Sequence, residues 1–149
     1  MILKNIINLF KKKSPDILRL EENLGYSFKD SKYLKTSITH RSIQNNNLGN
    51  YERLEFVGDA VIDQTVSIWL FNLYPDSDEG TLTKKRSSLV NRDFLARMGH
   101  KLNLIEFVNV DPSVKINDPK VSNKIAADIY EAIVGAIYLD GGYKNASNF

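Results

Sequence analysis

Three acidic side chains recur at helical spacing in one short stretch of this chain, at Glu52, Glu55 and Asp59. Residues three and four positions apart lie on the same face of a helix, so the carboxylates would project together. Like charges at close range raise the pKa of at least one of these groups unless a cation neutralises them. The stretch therefore predicts a site for a metal ion or a basic partner.

A second pair of acids, Asp128 and Glu131, is spaced by one helical turn in a segment that is apolar on nearly every side. Such a helix belongs in the interior, where carboxylates are rarely found unless they are paired or bound to metal. Bringing the two acidic faces together would create a site made of oxygen atoms. Oxygen ligands suit hard cations, so we expect Mg²⁺, with Mn²⁺ as a substitute, rather than zinc or copper.

Helices must position both sets of acids. Leu54, Val57 and Val61 repeat at core-facing spacing on the side of the first acidic stretch that lies opposite its carboxylates. We expect one helix from residue 52 to about residue 74, ended by Pro75. With no internal repeat and no run of alternating strand pattern, the sequence predicts an all-α fold.

Capping and stop residues predict the remaining helices. Asp30 is expected to cap a helix that runs to about Thr39, and Thr81 or Thr83 to cap a helix over residues 84–90. Three further helices are expected, over residues 16–24 with a stop at Gly25, over residues 91–99, and over residues 123–140 with a stop at Gly141 and Gly142.

Composition sets limits on the class of protein. The 149 residues are 42% hydrophobic and 26% charged, which fits one globular domain with its own core. The absence of cysteine excludes disulfides and thiolate metal sites and fits a reducing cytoplasm. The net charge is only +2, but gathering the acids in one site leaves the rest of the surface more basic, which favours nucleic acid as a partner.

The first residues resemble neither a signal peptide nor a membrane span. Residues 1–10 are mostly apolar, but Lys4 interrupts them and a run of lysines follows at residues 11–13. We expect residues 1–15 to be an N-terminal extension of a domain over residues 16–149. The extension is expected to be a helix packed on the domain or a frayed end, with a surface-lying amphipathic anchor as the alternative.

The stretch from Glu52 to Asp59 closely resembles the signature of the ribonuclease III family, whose members cut double-stranded RNA. Further segments are similar to family motifs and follow in family order, at residues 38–42 (ITHRS), residues 78–90 and residues 127–140. The resemblance covers about residues 18–142. It implies an all-helical endonuclease domain that forms a homodimer, with a valley for double-stranded RNA and one metal site per subunit.

The family pattern also implies roles for the acids. Glu55, Asp128 and Glu131 are expected to be metal ligands, and Asp59 is expected to act with Glu131 as a catalytic carboxylate. Glu52 is expected at the edge of the site. The implied reaction is hydrolysis of RNA to 5′-phosphate and 3′-hydroxyl ends, in ribosomal RNA or other RNA processing in the cytoplasm.

Two other side chains near the acids are candidates. Phe56 falls beside the acidic stripe, not on the apolar one, so we expect a partner subunit to cover it, with burial in its own subunit as the alternative. Lys124 lies on the same helical stripe as Asp128 and Glu131. It is expected to orient a carboxylate or to bind the scissile phosphate, with simple charge balance as the alternative. His40 is expected to be structural.

One feature of the family is not found in this sequence, a double-stranded-RNA-binding domain after the catalytic one. The chain is therefore expected to be either a stand-alone catalytic domain or a fragment of a longer protein, with its closing helix cut short. A non-cutting, ribosome-associated relative is the main rival, but such proteins would be expected to lose acids that are present here. A di-iron bundle would need Glu-x-x-His pairs, which neither acidic helix has.

Overall fold

The structure is a computed structural model that describes residues 13–43, 46 and 48–149. Within these residues it contains helices and no strand, apart from an isolated bridge between Thr39 and Asn109. The predicted all-α class is therefore confirmed. The helices are α1 (Pro15–Leu24), α2 (Ser31–Ser37), α3 (Glu52–Leu73), α4 (Glu79–Leu89), α5 (Arg92–Lys101), α6 (Pro119–Gly141) and α7 (Tyr143–Asn148), with a 3₁₀ turn at Leu104–Glu106.

Local sequence signals explain where several helices begin and end. Pro15 occupies the first turn of α1, where its fixed φ suits the helix, and the Ser14 hydroxyl accepts a hydrogen bond from the backbone N–H of Ile17. The same helix ends at Gly25, whose φ of +63° lies in the left-handed region that glycine adopts readily. The bounds of α1 and α3 agree with prediction to within a residue or so.

The expected cap of α4 is wrong. Neither Thr81 nor Thr83 begins this helix, because Asp78 accepts a hydrogen bond from the backbone N–H of Thr81 at 2.8 Å and the helix starts at Glu79. Asp78 precedes the first turn, where a carboxylate satisfies a free N–H group and also interacts favourably with the helix dipole.

Helix α2 ends at Ser37, two residues before the expected end. The chain leaves the helix because its next residues pair with a distant segment. The N–H of His40 donates to the carbonyl of Asn109 at 2.9 Å, and the N–H of Asn109 donates to the carbonyl of Ile38 at 2.8 Å. A further hydrogen bond, from the N–H of Tyr51 to the carbonyl of Thr39 at 3.0 Å, links this segment to the residue before α3.

Helix α6 is the centre of the core. Nearly all of its residues between Ile125 and Ile137 are buried, as its apolar composition predicted. The most extensive packing among the described elements is between α3 and α6. Leu54 and Val61 of α3 are buried and Val57 packs against the same core, so the predicted apolar stripe is confirmed.

Two glycines let the backbones of α3 and α6 touch. A Cβ atom on Gly58 would lie 1.8 Å from the carbonyl oxygen of Glu131, and one on Gly135 would lie 2.2 Å from that of Leu54. Any larger side chain would push the helices apart, since real Cβ atoms never approach backbone so closely. The crossing therefore sets the distance between the acids of α3 and those of α6.

Some predictions concern residues outside the described part of the chain. The packed, frayed or membrane-anchored states expected for the N-terminal extension concern mainly residues 1–12, which lie outside it. The division into an extension and a domain stays a prediction. None of the described helices is long and apolar enough to cross a membrane.

Candidate metal centre

The crossing of α3 and α6 brings three carboxylates together. Glu55, Asp128 and Glu131 each offer an oxygen atom, and these atoms lie within 4.8 Å of one another. Glu55 comes from α3 and the other two from α6, one turn apart. The association of the two acidic faces that the sequence suggested is thus present in the structure.

Asp128 is the most deeply buried of the acids, with 2% of the residue exposed. Its Oδ2 atom accepts hydrogen bonds from the Lys124 ammonium at 2.6 Å and from the Tyr51 hydroxyl at 3.4 Å. The Arg92 guanidinium lies 3.8 Å from Oδ1. A buried carboxylate needs such partners because an uncompensated charge in the interior is strongly unfavourable. The contact of Lys124 with Asp128 fits both the orienting role and the charge balance that were expected as alternatives, so the role of this lysine stays a prediction.

Glu55 and Glu131 are half-buried, and within the described part of the chain neither forms an ion pair. Burial, and then the charge of Asp128, raises the pKa of Glu55 to about 7. Burial likewise raises the pKa of Glu131 to about 7, with further contributions from Glu55, Asp59 and Asp128. A positive charge between Glu55 and Glu131 would therefore stabilise their ionised forms. An all-oxygen donor set with excess negative charge fits a hard divalent cation such as Mg²⁺ or Mn²⁺.

The other two predicted acids lie around this cluster. Asp59 is exposed on α3 and does not belong to the three-carboxylate group, but its negative charge acts on Glu131. Glu52 lies on the side of a cavity that adjoins the cluster, with an oxygen atom 3.5 Å from the guanidinium of Arg41. Glu52 thus lines the cavity beside the three carboxylates, and its role at the edge of a site stays a prediction.

Phe56 is 80% exposed, although it sits between the acidic and the apolar faces of α3. The alternative that its own subunit buries the ring is therefore wrong. The expected contact with a second subunit stays a prediction.

Sequence reasoning missed several residues that contact the acids. Tyr51 is 3% exposed and lies beneath Asp128, with its ring packed edge-on against that of His40. Its position three residues before Leu54 extends the apolar stripe of α3, so periodicity could have found it. Arg41 lies between α2 and α3, and Arg92 is the first residue of α5. No local spacing in the sequence relates either residue to the acids that it contacts.

The ring of His40 has a polar partner and an aromatic neighbour within the chain. Its Nδ1 atom lies 2.8 Å from the Ser42 hydroxyl, and the ring faces Tyr51. Burial, followed by the charges of Arg41 and Lys124, lowers the pKa of this histidine. These contacts agree with the structural role that was expected.

A family model described as ribonuclease-III-like matches residues 30–149. Among curated relatives, the ribonuclease 3 of Nitratiruptor sp. is 40% identical over 122 residues, which cover 82% of this chain and 53% of the relative. The ribonuclease 3 of Zunongwangia profunda is 39% identical over 153 residues, which cover 99% of this chain and 61% of the relative. The chain thus spans about half to three fifths of the length of these relatives.

Solved structures with the same fold include a nuclease domain of ribonuclease III from Campylobacter jejuni. It superposes with a TM-score of 0.82 at 39% identity, covering 89% of this chain and 91% of that one, and is described as flexible in a region involved in dimer formation. Dicer from Pichia stipitis superposes with a TM-score of 0.58 at 28% identity, over 78% of this chain and 48% of that one.

Proposed function

This chain belongs to the ribonuclease III family, and from that membership we propose that it is a divalent-metal-dependent endoribonuclease that hydrolyses double-stranded RNA. The products are 5′-phosphate and 3′-hydroxyl ends, and the setting is ribosomal RNA or other RNA processing in the cytoplasm. The observation that carries the proposal is the group of three carboxylates, drawn from two helices, whose oxygen atoms lie within 4.8 Å of one another.

The metal ligands in this proposal are Glu55, Asp128 and Glu131. They would hold Mg²⁺, for which Mn²⁺ can substitute, because both ions prefer oxygen ligands. When bound, such an ion supplies an activated water, neutralises phosphate charge and stabilises the leaving oxygen.

The remaining residues hold and orient this group. Lys124 orients the carboxylate of Asp128 through its hydrogen bond of 2.6 Å to Oδ2. Asp59 acts with Glu131 as a catalytic carboxylate, and its exposed position on α3 lets it accept a hydrogen bond from water beside the cluster. Glu52 is held at the edge by Arg41.

Exposed cations around the acids support a polyanionic substrate. The side chains of Arg41, Arg92 and Lys124 are 67%, 61% and 59% exposed, although each lies beside a carboxylate of the site. They can therefore meet the phosphates of an approaching duplex while they neutralise the acids. A non-cutting relative would have no need of all five acids, so their retention favours cleavage.

A homodimer is part of the proposal. Phe56 is 80% exposed beside the acidic face, and such a ring is best covered by a second copy of the chain. The flexible region of the related Campylobacter jejuni domain is described as involved in dimer formation, which supports this arrangement.

The proposed activity can be tested with a radiolabelled RNA hairpin. We expect Mg²⁺-dependent cutting that chelator abolishes and that Glu131→Gln reduces by at least about a hundredfold, because the variant loses a metal ligand. Glu106→Gln is the matched control, since that carboxylate is 62% exposed and pairs with Arg19 at the surface.

Two results would contradict the proposal. Unchanged cutting by Glu131→Gln would remove the assigned site. Binding of the hairpin without any cutting by the wild-type protein would favour the ribosome-associated reading instead.

A further inference from the structure

A cavity of about 430 Å³ lies beside the metal centre and shares Glu55 and Asp128 with it. Three cationic side chains also line this cavity, those of Arg41, Lys120 and Lys124. Its volume falls within the range of about 300–1,000 Å³ that is usual for ligand sites. Of the proposed metal ligands, Glu55 and Asp128 line this cavity and Glu131 does not.

The lysines of the cavity form a stripe with Asp128. Lys120, Lys124 and Asp128 are each four residues apart on α6, so they lie on one face of the helix. At 1.5 Å of rise per residue, Lys124 is about 6 Å and Lys120 about 12 Å from Asp128 along the helix axis. The stripe therefore leads from the carboxylates to a cation that lies two helical turns away.

Lys120 differs from the other cations of the cavity in its contacts. Arg41 pairs with Glu52 at 3.5 Å, and Lys124 pairs with Asp128 at 2.6 Å. Lys120 is exposed and, among the residues that the structure describes, forms no ion pair. Its charge is therefore available to an external anion.

The charges of the cavity depend on what the carboxylates bind. Three cationic and three acidic side chains line it, so their formal charges cancel. A divalent cation held by Glu55 and Asp128 would leave the cavity with excess positive charge, which attracts anions. Val114 and Val121 form an apolar part of the cavity wall, against which a ribose of the RNA can pack.

We propose that Lys120 and Arg41 form a phosphate subsite, which binds a phosphodiester of the RNA strand a few nucleotides from the bond that is cut. The inference rests on the proposed function, because it places the substrate strand along the stripe of α6. Each strand of an A-form RNA duplex presents a regular row of phosphates, one for every nucleotide. A cation about 12 Å from Asp128 along α6 can thus meet a phosphate near the scissile one but not that phosphate itself.

The test measures binding without cutting. The parent protein is Glu131→Gln with Mg²⁺, in which cleavage is expected to be lost, and the probe is a fluorescein-labelled RNA duplex followed by anisotropy at several salt concentrations. Adding Lys120→Gln should weaken binding about five- to tenfold and make the slope of log K against log salt shallower by about one. Because phosphate carries no sequence information, duplexes of different sequence should show the same loss.

Lys144→Gln in the same parent is the matched control. It removes the same charge from an exposed position on α7 that does not line the cavity, so its effect on affinity and slope should be small. Equal effects of the two substitutions, or no effect of Lys120→Gln, would overturn the phosphate subsite while leaving the proposed function intact. If the parent variant and the wild-type protein both failed to bind duplex RNA, the proposed function would fall as well.

Discussion

Asp128 and the two glutamates beside it differ in how far the chain compensates their negative charge. Asp128 is buried and receives hydrogen bonds from Lys124 and Tyr51, so its charge is compensated within the chain. Glu55 and Glu131 are crowded by other carboxylates, and burial raises the pKa of each to about 7. Lys124 and Arg92 oppose these increases only in part, and a divalent ion would bring the further positive charge.

This difference predicts how stability depends on pH in metal-free protein. A carboxyl group whose pKa is raised on folding stabilises the folded state below the unfolded pKa of about 4.3 and loses that contribution as pH rises through about 7. In chelator at about pH 8, Glu131→Gln should therefore be more stable than wild type by about 1–2 kcal/mol, and the difference should vanish near pH 4.

Urea denaturation in chelator at both pH values measures this effect. Glu106→Gln serves as the control, since its carboxylate is largely exposed. The prediction fails if Glu131→Gln is the less stable protein at the higher pH. Adding Mg²⁺ at that pH should reverse the order, because the ion stabilises only a protein that binds it.

At the scale of helices, the crossing of α3 and α6 determines whether the acids meet. Gly58 and Gly135 bring the two backbones into contact, and Glu55, three residues before Gly58, then lies near Glu131, four residues before Gly135. The site therefore depends on residues that carry no functional group.

Gly58→Ala should destabilise the protein by at least about 3 kcal/mol, because the added Cβ atom meets rigid backbone and the helices have to separate. Gly80→Ala is the matched control. Its Cβ would lie 3.4 Å from the nearest atom, the side-chain oxygen of Asp78, and alanine is favoured in a helix, so stability should stay equal or rise by up to about 1 kcal/mol. Thermal unfolding compares the two variants. Similar melting temperatures for wild type and Gly58→Ala would contradict the close crossing.

The sequence was most informative for elements with local signals. Periodicity and stop residues predicted α1 and α3, and the apolar character of α6 predicted its burial. The end of α2 was missed because a backbone pairing with Asn109, some seventy residues later, sets it. Within the site, the spacing of the acids was visible in the sequence. The approach of Arg41 and Arg92 was not, because only tertiary packing brings these side chains to the acids.

At the scale of the whole molecule, α3 exposes several large apolar side chains. Phe56 is 80% exposed, Phe71 is 68% and Trp69 is 53%. Exposed apolar surface can mark a protein–protein interface, and a two-fold dimer covers the same surface on both copies. The duplex would then meet two metal centres, one in each subunit.

Phe56→Ala should shift the protein toward monomer in sedimentation velocity, since the ring is proposed to lie at the dimer contact. Leu18→Ala is the control, because that side chain is also exposed, at 46%, but lies on α1. Phe56→Ala should keep the wild-type circular dichroism, as the ring contributes little to its own core. An unaltered dimer in Phe56→Ala would reject the assigned contact.

The central claim is that carboxylates from α3 and α6 bind one and the same divalent ion. Crystals grown with Mn²⁺ test this directly, because the metal gives an anomalous diffraction signal that locates it without assumptions about the site. We predict an anomalous peak bounded by Glu55, Asp128 and Glu131 that is absent or much weaker in Glu131→Gln. A map with no peak between these residues, or with peaks only elsewhere on the protein, would contradict the account.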